Sequence, residues 1–311
     1  MTETRHLPTG IALGGAVAIG AMTAIQARIN GVLGVRLDDG IVAGLISFSV
    51  GLVVLIIVMP LIPSARAGAR RLVTGIRSRR IPFWMLLGGT CGALTVSTQG
   101  LVAGVLGVSL FTVGVVAGQT LHGLLLDRIG FGPSGVVAVT TGRVIGGLLA
   151  LVAVAISLGG DVLASAPVWL LVLPFLAGAG IAWQSGANGR LARATASPIT
   201  ATLMSFIAGT TVLIIAAGIS VAVKGMPQAL PTEPWLYIGG LLGFVYILLG
   251  AWLVPHTGVL LLGLGSVLGQ LVTSIVIDLI WPVDAAPALW QLIAMVVVAV
   301  ASVVVALPRR R

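Results

Sequence analysis

The chain has 311 residues, of which 58% are hydrophobic and only 8% charged, and its mean hydropathy is +1.16. Soluble domains carry about 25% charged residues, so this composition excludes a soluble globular fold and points to a polytopic membrane protein. The net charge of +9 does not point to nucleic acid, because the basic residues flank apolar segments instead of forming an aromatic-interleaved patch. The single cysteine, Cys91, allows no disulfide framework and no cysteine-based metal site.

Ten segments are long enough to cross a hydrocarbon core of about 30 Å. In chain order they lie near 9 to 30, 41 to 62, 83 to 104, 107 to 127 and 137 to 158, then 168 to 189, 198 to 222, 234 to 254, 258 to 280 and 287 to 307. The first follows Arg5 and resembles a secretory signal, but its counterpart at 168 to 189 lies mid-chain, so both are read as retained helices. Lipid offers no partner to backbone N–H and C=O groups, so such runs must be helical unless they close a barrel, whose strands would alternate in polarity. An all-α fold is expected.

The elements repeat. Gln26, Asn30, Ser47, Phe48 and Gly51 recur as Gln184, Asn188, Ser205, Phe206 and Gly209, at an offset of 158. Trp84, Gly88, Gly89, Gly92, Gly107, Gly118, Gln119 and Asp127 recur as Trp235, Gly239, Gly240, Gly243, Gly258, Gly269, Gln270 and Asp278, at an offset of 151. A net deletion of seven residues in the loop after the second span relates the copies, and the two asparagines of the chain fall at equivalent positions. Residues 1–158 and 159–311 thus form two five-helix repeats of one transmembrane domain. An N-terminus inside the cell puts 13 of the 17 basic residues on the cytoplasmic side, including the cluster Arg66, Arg70, Arg71, Arg77, Arg79 and Arg80 and the tail Arg309, Arg310 and Arg311. Both termini are then cytoplasmic. Five spans is an odd number, so the copies enter the membrane from opposite faces, as in many secondary transporters with a site between their repeats.

Gln26 and Asn30 are four residues apart and share a helix face, as do Gln184 and Asn188. Neutral amides donate and accept, so two such pairs can hold a polar solute without desolvating a charge. The alternative is that they bond across helices as packing contacts. Gln119 and Gln270 each follow a glycine and are further candidates for solute binding. Asp127 and Asp278 lie about two turns beyond them, at helix ends, where a hydrated interfacial carboxylate is preferred and a gate pairing with Arg128 or Arg143 is the alternative. His122 is a candidate proton relay, with a packing imidazole preferred. Arg143, some way into the fifth span, reads as a snorkelling anchor or, less favoured, an anion contact. Trp84 and Trp235 begin corresponding spans and read as interfacial anchors.

The ordered set Gln-x3-Asn, Ser-Phe-x2-Gly, Trp-x3-Gly-Gly-x2-Gly and Gly-Gln with an Asp eight residues after the Gln resembles the YdcZ-type branch of the drug/metabolite transporter superfamily. Its members are often single five-span units, and this chain resembles two fused. The resemblance implies a ten-helix carrier in a bacterial inner membrane. Small multidrug-resistance proteins of that superfamily use a glutamate in the membrane as a shared proton and cation site. No expected span here contains one, since Glu3 and Glu233 lie outside them, so antiport of that design is disfavoured.

The functional expectation is a secondary transporter of a small metabolite or drug-like solute, alternating between two mirrored states. Its expected partners are that solute and membrane lipid, with no nucleic acid, and a homodimer is allowed for. No cofactor and no metal are expected. The alternatives are a non-transporting scaffold or assembly factor and, less favoured, an enzyme acting on lipid-linked substrates. The chain shows no HExxH, paired-carboxylate or cysteine cluster for such an enzyme.

Overall fold

The computed structural model describes residues 8–138, 140–142, 144–149, 152 and 168–281, with single positions at 297 and 300. All its regular elements are helical. They are α1 (Thr9–Leu37), α2 (Gly40–Val58), α3 (Pro63–Arg77), α4 (Gly88–Thr98), α5 (Gly104–Arg128), α6 (Val168–Thr195), α7 (Pro198–Lys224) and α8 (Gly239–Ile280). Five stretches among the described residues are long and apolar enough to cross a membrane: Gly10–Leu37, Gly40–Leu61, Phe83–Ala103, Pro198–Lys224 and Pro234–Ile277. The span expected at 287 to 307 lies almost wholly outside the described residues, and that at 137 to 158 in part.

The expected eighth and ninth spans meet without the short loop anticipated at Pro255 and His256. Both residues belong to α8, whose 42 residues would extend about 63 Å, twice what one crossing needs. Gly258 resolves this by adopting φ 76° and ψ 170°, which ends one helical arm and starts another. Only glycine takes such a conformation at no steric cost. Contacts with α1 show that the chain reverses there. Gly239 lies against Asn30, Gly243 against Gln26, and Leu253 against Gly15, so the first arm runs antiparallel to α1. Gly265 then lies against Leu13 and Ala16, Gly269 against Val17, and Trp281 bonds Arg28, so the second arm runs parallel to it.

Equivalent elements of the two copies make equivalent contacts. The Phe48 and Phe206 rings of α2 and α7 meet with centroids 4.9 Å apart. Each lies over the other helix's glycine, Phe206 over Gly51 and Phe48 over Gly209. Gly89 packs on the Ser205 carbonyl and Gly240 on that of Ser47, while Gly118 meets the Phe175 carbonyl and Gly269 that of Val17. A side chain at any of these four glycines would overlap a carbonyl oxygen, so the backbones touch as small-residue crossings in membranes do. The turns match as well. Asp38 and Ala196 have φ 54° and 48°, and the next residue caps the following helix. Asp39 accepts from Ile41 N and Val42 N at 2.9 and 3.1 Å, and Ser197 accepts from Thr200 N at 3.3 Å.

The copies differ after α2. The arginine-rich stretch read as a loop forms α3, which begins with Pro63 at its first turn. Ala65, Gly68, Leu72 and Gly75 recur every three or four residues and are buried, while the arginines occupy the other face. Gly68 sits against Ser197 and Thr200, and Arg71 donates to the Thr195 carbonyl at 3.1 Å, so α3 clasps the turn between α6 and α7. The matching stretch of the second copy, before Pro234, contains no helix.

Candidate functional site

Glycines set the amides in place. A side chain on Gly88 would meet Asn188 Oδ1 at 2.5 Å and one on Gly92 would meet Gln184 Nε2 at 3.1 Å; their equivalents Gly239 and Gly243 would meet Asn30 Oδ1 and Gln26 Nε2, each at 2.7 Å. Each amide pair thus lies in a groove of the opposite copy. α4 starts beside Asn188 and ends with Gln99 beside Asn30, whereas the first arm of α8 starts beside Asn30 and its Gly250 shares a cavity with Asn188. These two equivalent segments run in opposite directions.

The two pairs have different fates. In the first copy a third amide joins the pair: Gln26 Nε2 donates to the Gly239 carbonyl at 2.7 Å, Asn30 Nδ2 donates to Gln99 Oε1 at 2.7 Å, and Gln99 Nε2 donates to Gln26 Oε1 at 3.4 Å, while Asn30 Oδ1 is buried without a partner. Gln99 is fully buried and opens a π-helical turn, Gln99–Ala103, that ends α4. The offset of 151 pairs it with Gly250. There a side chain would meet nothing within 4 Å, and a cavity of about 40 Å³ takes its place.

Gln184, Asn188, Gln119 and Gln270 all line this cavity, with Thr23 and Ser266. Four of the six candidate amides therefore converge, one from the first copy and three from the second; Gln26 and Asn30 do not border it. Asn188 Oδ1 accepts from Ser205 Oγ at 2.8 Å, and Gln270 Nε2 donates to Ser266 Oγ at 3.0 Å. Gln184 Nε2 and Gln119 Oε1 are buried without a hydrogen-bond partner. One is an orphan donor and the other an orphan acceptor, each costly to bury unless something binds it. Among the described residues, no charged one lines the cavity.

Asp127 is not a hydrated interfacial carboxylate. It is 1% exposed, and its two oxygens accept from Val259 N at 2.9 Å and Leu260 N at 3.1 Å. Asp127 thus caps the second arm of α8 just past the break at Gly258, where free N–H groups and the helix dipole favour an anion. His122, also on α5, is half-buried and does not border the cavity. Arg143 and the side chain of Asp278 lie outside the described residues.

The tryptophans at the starts of corresponding spans lie in matching stacks. Arg190 lies over Trp84 and Phe131, with ring centroids 5.8 and 5.9 Å from its guanidinium carbon, and donates to the Gly130 carbonyl at 2.6 Å. Arg28 lies over Trp281 at 5.3 Å, which in turn packs on Trp235 at 5.3 Å. Such cation–aromatic contacts gain from the absence of water.

Sequence reasoning missed Gln99. The repeat itself carried the signal: Gln26, Gln119, Gln184 and Gln270 pair across the copies, whereas Gln99 faces glycine.

Doubled apolar helices, with amides of both copies grouped between opposed segments, define the class as a helical membrane protein built from two related units. The sequence model of the family described as "Putative inner membrane exporter, YdcZ" matches residues 11–156 and again 169–304. The chain belongs to this family, in a two-repeat form, and is a multi-pass protein of the inner membrane. No curated protein matches it in sequence. A solved structure titled "Crystal structure of protein" aligns with 95% of this chain and 95% of its own at TM-score 0.59 and 18% identity, a likeness of fold alone.

Proposed function

We propose that the protein is a secondary transporter of a small neutral or amphipathic solute, built from two inverted five-span repeats, residues 1–158 and 159–311, with both termini in the cytoplasm. The observation that carries this reading is the cavity lined by Gln119, Gln184, Asn188 and Gln270, which draws polar groups from both copies to one place. The opposed runs of α4 and the first arm of α8 support the inversion, which offers two near-equivalent states for alternating access. At about 40 Å³ the cavity is far smaller than the roughly 300–1,000 Å³ of ligand pockets, so passage of a solute requires it to widen.

The test is solute flux in proteoliposomes across a panel of amino acids, sugars, nucleosides, polyamines and lipophilic cations, with Asn188→Ala beside the parent. Flux of one class that the folded variant loses supports transport through this cavity. Absence of flux for every class, in protein shown to be folded, favours the scaffold reading.

A further inference from the structure

Gln99 and Gly250 occupy equivalent positions, and only one of them has a side chain beyond hydrogen. In the first copy a carboxamide fills the space beside the amide pair and is held by it, accepting from Asn30 and donating to Gln26. In the second copy the equivalent pair, Gln184 and Asn188, lines the cavity with Gly250, where a side chain would meet nothing within 4 Å among the described residues. The protein therefore holds, in one half, an example of the group that the other half lacks.

We infer that the cavity at Gly250 is a binding site for a neutral carboxamide-type group, a planar head with adjacent donor and acceptor, and that Gln99 is its covalent counterpart in the first copy. This rests on the transport reading above for its biological role, but not for its chemistry. Three observations carry it. At the equivalent position of the first copy a carboxamide is bonded by the equivalent amide pair. Two of the lining amides have hydrogen-bonding capacity left over, a donor at Gln184 Nε2 and an acceptor at Gln119 Oε1, and a carboxamide brings both an acceptor and a donor. With no ionic residue among the described lining residues, a carboxylate or ammonium of the same size would be desolvated there without a counter-charge. Urea-like heads and the N–H–C=O edges of heterocycles share this chemistry.

The site can be tested with its ligand group attached to the chain. Gly250→Gln places a carboxamide where Gln99 lies in the other copy. Gly250→Ala controls for helix propensity, Gly250→Leu for filled volume and Gly250→Glu for charge. The expected result in detergent is a melting temperature for Gly250→Gln about 2–4 °C above Gly250→Ala, with Leu and Glu giving no gain over Ala. That increment should vanish when Gln184→Leu or Asn188→Leu is added. Propionamide, tested against propionate and propylamine, should protect the parent and not Gly250→Gln.

A Leu gain equal to the Gln gain overturns the inference, since the cavity would then be an apolar void. So does a Gln gain that survives both leucine substitutions, or protection by propionate or propylamine in place of propionamide. A coupled Gln gain with no solute flux upholds the amide preference and removes the transport reading. Flux of a solute class with no amide, with no coupled gain, does the reverse.

Discussion

Phe48 and Phe206 each lie over the other's glycine, so that one ring pair closes the crossing of α2 and α7 from both sides. A methyl group at Gly51 would overlap Phe206, and one at Gly209 would overlap Phe48. Gly51→Ala and Gly209→Ala should therefore cost nearly the same, about 1–3 kcal/mol each for overpacking. Thermal unfolding in detergent checks this. A large difference between the two would show that the crossing is not shared evenly by the copies.

Asn30 and Asn188 are equivalent in sequence and opposite in consequence. Asn30→Ala strips Gln99 Oε1 of its donor, so it should lower stability by about 0.5–2 kcal/mol, the range for hydrogen bonds between membrane helices. A double-mutant cycle with Gln99→Ala should return a coupling of that size. Asn188→Ala should cost less stability and more solute flux, because Asn188 borders the cavity. Flux and melting temperature measured on the same preparations separate the two.

Asp127 and Gly258 act as one device, a turn in α8 and the cap that starts the helix again. Asp127→Asn keeps a single acceptor oxygen for two N–H groups and should destabilise by about 1–3 kcal/mol, with Asp127→Ala worse. Gly258→Ala retains the Asp127 carboxylate but sets a methyl 3.1 Å from its Oδ2 and strains the backbone, at about 1–3 kcal/mol. Hydrogen exchange at residues 259 and 260 should rise in the Asp127 variants more than in Gly258→Ala.

The grip of α3 on the α6–α7 turn predicts that Arg71→Ala, which frees the Thr195 carbonyl, costs about 0.5–1.5 kcal/mol. Gly68→Leu, driven against Ser197 and Thr200, should cost more. Limited proteolysis between α2 and α3 reports the same loosening.

The helical class and the doubling were legible in the sequence because lipid permits few solutions and because rare residues such as Asn30 and Asn188 mark register. The convergence of Gln119 and Gln270 with Gln184 and Asn188 was legible only as a set of candidates, since sequence spacing assigns a helix face but not the neighbour opposite. Asp127 was read as interfacial because it ends α5; its burial depends on a break 131 residues further on, at Gly258. The α3 arginines concealed an apolar stripe that a period of three to four would have revealed. Comparing polar mismatches between the copies, and not only matches, would have raised Gln99.

Two identical chains meeting across a two-fold axis must both carry glutamine at this position or both carry glycine, and so would have two plugged niches or two vacant ones. Joining the copies in one polypeptide releases them from that constraint. Gln99 in one half and Gly250 in the other make the two niches unlike: among the described residues the first is filled by its own side chain and the second opens on the cavity.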